Sequence, residues 1–280
     1  MRALITGGAG FIGSNLAKKL VFLGHKVDVI DNLSAGHKEF VPAECNLYVE
    51  DFSNSLILQR IKNKSYDVIF HLAAIVSGEA ESDFEKGYRV NLDGTRNLFE
   101  AIRATANYCP RVVYTSTAAV YGGPYPEDSD DDFILQPTTS YGTQKAIGEL
   151  LLNDYSRRGI LDGIGLRLPT ICVRPGKPNA AASGVFSNII REPLSGIETT
   201  LAVSKDVSMV FASPRSAVGF LIHAAQLDTS LLGWRRSMMM PGVHATIGDE
   251  IEALRRVAGE KVLSCIKEVP IDTFAQQMVD

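Results

Sequence analysis

The sequence predicts a doubly wound α/β fold, a parallel sheet covered by helices on both faces. Two observations carry this. In the first half, short runs of β-branched and apolar residues alternate with amphipathic stretches of helical period, joined by short loops. The runs themselves are almost continuously apolar, as strands are when both faces are buried.

The elements follow in order. "RALIT" is a first strand, and Phe11 to Leu23 carries a helical pattern. "KVDVI" is a second strand and, past a polar loop, "NLYVE" a third. A short helix is expected near Leu56 to Ile61, then a strand in "YDVIFHL" and a long helical pattern from Ser82 to Ala106. "RVVYTS" is the next strand, and a helix opens within "TSYGTQKAIGELL".

After about Leu166 the texture changes. "RLPTICVRPGKPNAAASG" is rich in Pro, Gly and small residues, and the alternation stops. Pro175 and Pro178 exclude a regular helix there, since each lacks a donor and crowds the preceding turn. Residues 1–168 are thus expected to form one domain, with later segments (about 206–240) returning to it. Residues 169–280 are expected to form mainly a smaller substrate-binding part.

Composition narrows the partners. With 280 residues, 45% hydrophobic and 21% charged, the chain has the make-up of a soluble globular protein. Its net charge of −4, without a Lys/Arg stripe, argues against nucleic acid. The apolar run around Val112 to Val120 is too short and polar to span a bilayer, and the amino terminus reaches Gly too soon for a secretory signal. A cytoplasmic protein is expected, off the membrane. Cys45, Cys109, Cys172 and Cys265 are scattered without a C-x-x-C, which reads as reduced thiols. The acidic run from Glu127 to Asp132 reads as solvated surface, and no metal site is expected.

The first chemical motif is "LITGGAGFIGSNLAKKL", where Gly7, Gly10 and Gly13 lie between a strand and its helix. Glycines tighten such a turn and admit a pyrophosphate to the helix's unpaired N–H groups. Phe11 and Ile12 open that helix. The second strand ends at Asp31 and Asn32, and the Asp31 carboxylate can accept from an adenosine ribose while repelling a 2′-phosphate. NAD is therefore expected rather than NADP. The alternative for Asp31 is a cap on the following loop. Asp51 and Phe52 are expected at the adenine edge, and Leu72, Ala73 and Ala74 leave room for the dinucleotide against the backbone. His71, inside an apolar strand, reads as a core residue. The spacing of Tyr141 and Lys145 puts a phenol and an ammonium on one helix face, with Cβ atoms about 6 Å apart.

Together "TGGAGFIG", "DN", "VIFHLAA", "NLDGTRNLFEA", "TSTAAVYG" and "SYGTQKAIGE" resemble the extended short-chain dehydrogenase/reductase family of nucleotide-sugar epimerases, dehydratases and sugar or sugar-acid dehydrogenases. The resemblance implies a Rossmann-like fold and an NAD-dependent enzyme. It implies Tyr141 and Lys145 as the catalytic pair, with Lys145 also anchoring a ribose. It places the catalytic hydroxyl on Thr117, with Ser116 as a substitute, and Asn91 against the cofactor or a water near the lysine. Pro169 and Thr170 fall where the family's loop touches the nicotinamide amide. The two long helices resemble those that pair in family homodimers.

The chemistry explains the residue types. A phenol of pKa about 10 must fall by roughly three units, about 4 kcal/mol, to act as a base near neutrality. An ammonium about 4 Å away supplies about that much at an effective dielectric of 20.

Family dehydratases place an Asp–Glu pair after the active-site Thr, where this chain has Ala118 and Ala119. Methyl groups transfer no protons, so dehydration is disfavoured. The stretch from Ser140 to Gly196, with "ASPRSAVGFLIHAA", "AAIVSGEAESDF", "MMMPG" and "EIEALRRVAG", resembles the branch that oxidises C2 of a four-carbon sugar acid such as D-erythronate. The amino-terminal third looks more like the nucleotide-sugar epimerases, so a UDP-glucose/UDP-galactose type 4-epimerase is the alternative. A non-catalytic NAD-binding module is a further one, disfavoured because Tyr141 and Lys145 are both present. The chain ends soon after "AQQMVD", shorter than expected for the family. A sugar acid needs a cation, for which Arg174 is the candidate and Arg191 and Arg215 the rivals. Ser77 and Asn179 are expected to complete the substrate pocket.

Overall fold

The computed structural model describes residues 1–53, 59–61, 63, 65–123, 131–176 and 184–277, with Phe274 and Gln277 described by backbone alone. The strands are β1 (Arg2–Thr6), β2 (Lys26–Asp31), β3 (Asn46–Val49), β4 (Val68–His71), β5 (Arg111–Thr117), β6 (Asp162–Leu168), β7 (Thr170–Ile171), β8 (Thr199–Leu201), β9 (Ser208–Ala212), β10 (Ser237–Met239), β11 (Val243–Thr246) and β12 (Ile266–Glu268). The helices are α1 (Phe11–Phe22), α2 (Ser77–Ser82), α3 (Phe84–Gly87), α4 (Gly94–Arg103), α5 (Ser140–Arg157), α6 (Gly184–Leu194), α7 (Pro214–Gln226), α8 (Ile247–Ala258) and α9 (Thr273–Gln277). The short helix expected at Leu56 to Ile61 falls largely outside the described residues.

The chain divides into two units, Met1–Leu168 with Arg215–Met240, and Pro169–Pro214 with Pro241–Asp280. The first holds a seven-stranded sheet of order β10-β6-β5-β4-β1-β2-β3, parallel at every pairing. Strand order reverses at β1, where β2 lies on one side and β4 on the other. Ligands of open α/β sheets bind at the carboxyl ends of strands around such a point.

Period-2 alternation sends successive residues of each strand to opposite faces, which gives the sheet two cores. Leu4, Ile30, Ile69 and Val112 pack with Leu98 and Phe99 of α4 and Leu152 of α5. Ala3, Ile5, Val29, Phe70 and Val113 pack on the other face with Leu16 and Leu20 of α1 and Val218 and Leu221 of α7. Each fully buried aliphatic side chain contributes about 1.5–3 kcal/mol.

The long helix expected from Ser82 to Ala106 is broken. Asp83 ends α2 and caps α3 through Lys86 N–H at 3.1 Å. Residues Tyr88–Asp93 then widen into i→i+5 helix before α4 resumes. Within that wider turn Asn91 is buried, and hydrophobic periodicity does not report such a local change of winding.

The second unit holds a three-stranded sheet, β11-β9-β7, and a parallel pair, β12-β8. Its core gathers Phe186 and Ile189 of α6, Leu201, Val203, Val207 and Ile247. Helix α8 opens with a reciprocal cap, in which Asp249 N–H donates to Thr246 Oγ1 at 3.0 Å and Thr246 N–H to Asp249 Oδ2 at 2.9 Å. Ser208–Ala212, inside the stretch expected to return to the first domain, pairs here with β7 and β11; the return begins at Arg215.

Candidate active site

The Gly-rich turn after β1 is shaped by close approach. Gly7 has φ +72°, and a Cβ there would lie 2.7 Å from Ala73 N. A Cβ on Gly13 would collide with the Gly7 carbonyl oxygen. Gly10 is the N-cap of α1 and supplies no side-chain acceptor, so the first N–H groups of α1, from Phe11 and Ile12 on, present their dipole to a ligand. A cradle that only missing side chains permit, at the helix start nearest the switch point, fits a pyrophosphate.

Asp31 lies at the end of β2, nearly buried. Oδ2 accepts Ala9 N–H at 2.9 Å and Oδ1 accepts Leu33 N–H at 2.8 Å. The carboxylate thus caps the following loop and also ties it to the Gly-rich turn. Each oxygen keeps a further lone pair, so capping and ribose binding are compatible. Asn32 Oδ1 accepts Ser34 N–H at 3.0 Å, and Asp51 Oδ1 accepts Ser53 N–H at 2.9 Å. The Phe52 side chain is buried in the core, 5.0 Å from the His71 ring. Only its backbone is left for an adenine edge. Past β4, Leu72 N–H donates to the Thr6 carbonyl at 3.1 Å and Ala73 N–H to Thr6 Oγ1 at 3.3 Å, which holds Leu72 to Ala74 beside the Gly-rich turn.

His71 is committed to the core. Nδ1 lies 2.7 Å from Thr6 Oγ1 and Nε2 2.9 Å from Thr95 Oγ1. Burial, helped by the Lys145 charge, pushes its pKa down to about 3, so the ring is neutral.

Helix α5 brings Tyr141 and Lys145 to the carboxyl end of β5. Thr139 caps the helix, its Oγ1 accepting Gly142 N–H at 3.0 Å, which sets Tyr141 in the first turn. Lys145 is 2% exposed, and Nζ donates to the Thr115 carbonyl at 2.7 Å. It lies 4.8 Å from the centre of the Tyr114 ring and 5.9 Å from that of Tyr141. Burial pushes its pKa down to about 7, against the pull of Glu149. The two candidate hydroxyls separate by strand alternation. Ser116 is buried and donates to Glu149 Oε1 at 2.5 Å, whereas Thr117 is partly exposed and accepts Ala119 N–H at 3.2 Å. Thr117 is the hydroxyl on the open side.

Asn91 is buried and fully engaged within the wider turn. Its Oδ1 accepts Ile75 N–H at 2.9 Å, and Nδ2 donates to Ile75 O at 3.1 Å and to Gln144 Oε1 at 2.8 Å. The amide is engaged in tying the loop after β4 to α5, one residue before Lys145. Ser77 begins α2 just past that loop.

In the second unit, Pro169 leads into β7, where Thr170 is buried opposite Phe211 of β9. Arg174 is partly exposed; its N–H donates to Ser187 Oγ at 3.0 Å, and its carbonyl accepts from Arg191 Nη1 at 2.7 Å. Arg191 also donates to Asn188 and Glu192, so its guanidinium is committed within α6. Arg215 is exposed in the first turn of α7. Asn179 lies outside the described residues.

The sequence reading missed Glu149 and Arg167. A signal was present for Glu149 alone: it follows Lys145 by four residues, so Tyr141, Lys145 and Glu149 share one helix face.

The model of the NAD-dependent epimerase/dehydratase family matches residues 3–227. A D-erythronate dehydrogenase of Cupriavidus necator is 46% identical over 94% of this chain and 83% of its own length. One from Haemophilus influenzae is 41% identical over 95% of this chain and 85% of its own. A crystal structure described as the nucleoside-diphosphate-sugar epimerase from Agrobacterium tumefaciens is 52% identical, with a TM-score of 0.92 over 100% of this chain and 84% of its own.

Proposed function

The chain belongs to the NAD-dependent epimerase/dehydratase family, and on that premise we propose that it is an NAD-dependent dehydrogenase oxidising the C2 hydroxyl of a small sugar acid such as D-erythronate. The observation that carries this reading is its likeness, over nearly the whole chain, to two D-erythronate dehydrogenases.

In this reading the Gly-rich turn and the α1 N-terminus hold the pyrophosphate, and Asp31 the adenosine ribose. Pro169 and Thr170 meet the nicotinamide amide. NAD⁺ bound there would supply the acceptor for the hydride that leaves C2. Tyr141 takes the proton of the C2 hydroxyl, and Thr117 holds that oxygen by a hydrogen bond as its charge changes. Lys145, charged below about pH 7, stabilises the Tyr141 phenolate. Arg174 is the cation for the substrate carboxylate, through paired hydrogen bonds, and Ser77 is a further substrate contact. We further propose that the enzyme acts in the cytoplasm as a homodimer paired through helices α4 and α5, which light scattering of the purified chain tests.

The 52% identical structure named as a nucleoside-diphosphate-sugar epimerase favours a second reading, as a 4-epimerase. A panel of aldonates and UDP-sugars with NAD⁺, followed by NADH absorbance and sugar analysis, separates them. The first reading expects NADH with D-erythronate. Silence with every acid, together with interconversion of UDP-glucose and UDP-galactose, establishes the second.

A further inference from the structure

Beneath the Tyr141–Lys145 face lies a buried ion pair. Glu149 and Arg167 are 4% and 5% exposed. Arg167 Nη2 donates to Glu149 Oε2 at 2.8 Å and Nε to Oε1 at 3.0 Å, while Nη1 donates to the Tyr121 hydroxyl at 2.6 Å. Glu149 Oε1 also accepts from Ser116 Oγ at 2.5 Å. The cluster therefore joins α5, the end of β5, the end of β6 and the residue after the Ala118–Val120 turn.

Stability alone is a poor explanation for such a pair. Two charges taken out of water lose about as much as they gain from each other, and apolar residues of similar volume often do as well or better. Its position is more telling. Ser116 directly precedes Thr117, which strand alternation puts on the opposite face of β5, so the Ser116–Glu149 bond pins the end of the strand that carries Thr117. Glu149 lies one helical turn past Lys145. The titratable groups facing Lys145 are Tyr141 and Glu149 on its own helix, Tyr114 on β5 and His71 on β4. Tyr114 and His71 are buried and neutral, their pKa values displaced by desolvation toward the uncharged form. Glu149 is thus the carboxylate among them.

We propose that Glu149, held by Arg167, is a positioning residue: through Ser116 it orients Thr117, and through its charge it sustains the ammonium of Lys145. The first arm rests on the dehydrogenase reading of the site; the second concerns Lys145 alone. Neither residue touches substrate. The pair presets the groups that do.

The decisive comparison is between Glu149→Gln, which leaves buried Arg167 the more distant Asp131 carboxylate, 3.7 Å from Nη1, and the double variant Glu149→Leu/Arg167→Met, which removes both charges of the pair. The double variant is expected to regain most of the Tm lost by the single one. Its kcat should nonetheless stay about tenfold or more below wild type, the size of coupling usual within one hydrogen-bond network, with little change in KM for NAD⁺. In protein carrying ¹³Cε-lysine, assigned with Lys145→Met, the Lys145 titration midpoint should fall by about half a unit or more in both variants. A double variant with wild-type kcat, or with an unmoved Lys145 midpoint, overturns the proposal. Should the double variant not fold, Ser116→Ala cuts only the link to β5; a kcat equal to wild type then overturns it, and a kcat lowered at near-constant Tm supports it. If the wild type fails to oxidise D-erythronate, the dehydrogenase reading falls, and the substrate-free Lys145 midpoint still decides for or against Glu149.

Discussion

The Lys145 ammonium lies 2.7 Å from the carbonyl oxygen of Thr115, two residues before Thr117 on the same strand. This bond fixes helix α5 to the end of β5 and places the lysine charge beneath the first turn, where Tyr141 stands. It also gives the buried ammonium an acceptor, while burial lowers its pKa to about 7. Tyr141→Phe removes the proton acceptor and leaves this anchor in place. Its kcat should fall by about 10²–10⁴, the range for loss of a general base, while NAD⁺ affinity measured by calorimetry changes little. A variant retaining a tenth of wild-type kcat would assign the base elsewhere.

Asp31 serves two ends of the cofactor cradle through Ala9 and Leu33 N–H. Asp31→Ala leaves both donors without an acceptor and takes away the ribose acceptor. Stability should drop by about 1–3 kcal/mol by chemical denaturation. NAD⁺ should bind more weakly and the preference over NADP⁺ should narrow. Unchanged discrimination between the two cofactors would mean that Asp31 is a loop cap and no more.

Arg174 lies partly exposed on the loop after β7, and Arg191 donates to Asn188, Glu192 and the Arg174 carbonyl. Arg174→Ala is expected to raise KM for the acid about 10- to 150-fold, from about 1.5–3 kcal/mol of lost charge-assisted hydrogen bonding, with KM for NAD⁺ unaffected. An unaltered acid KM moves the assignment to Arg215.

Glu250 is a buried acid in the second unit, beside the Cys172 thiol, and Oε2 has no hydrogen-bond partner among the described residues. Desolvation raises its pKa from the ordinary 4.5 to about 8. Between those values the unfolded chain has released the proton and the folded chain keeps it. Its contribution to stability is therefore full below about pH 4.5 and declines as pH rises through about 8. Glu250→Gln should gain on the wild type across that window, by several °C in Tm at the alkaline end, on the order expected for a few kcal/mol. Parallel Tm–pH curves for the two proteins would show that Glu250 ionises normally.

Much of this was legible in the sequence because the signals were local. The strand runs, the Gly-rich turn and the Tyr141–Lys145 spacing each depend on neighbours within a few residues. What was hidden depends on distant partners or on winding. The break at Tyr88–Asp93 follows from Asn91 turning inward to meet Ile75 and Gln144, contacts that no helical pattern encodes. Arg167 and Ser116 are far from Glu149 in sequence and meet only across β5 and β6. Thr117, which the resemblance put ahead of Ser116, is the more exposed of the two, a difference in burial that chain order does not encode.

The central claim is hydride transfer from C2 of a sugar acid to NAD⁺. The most direct measurement uses D-erythronate carrying deuterium at C2, with mass spectrometry of the recovered cofactor. The account predicts one deuterium in the reduced nicotinamide and a 2-keto acid product. Reduced cofactor without deuterium, or label kept wholly in unreacted acid while UDP-sugars are epimerised, would contradict it.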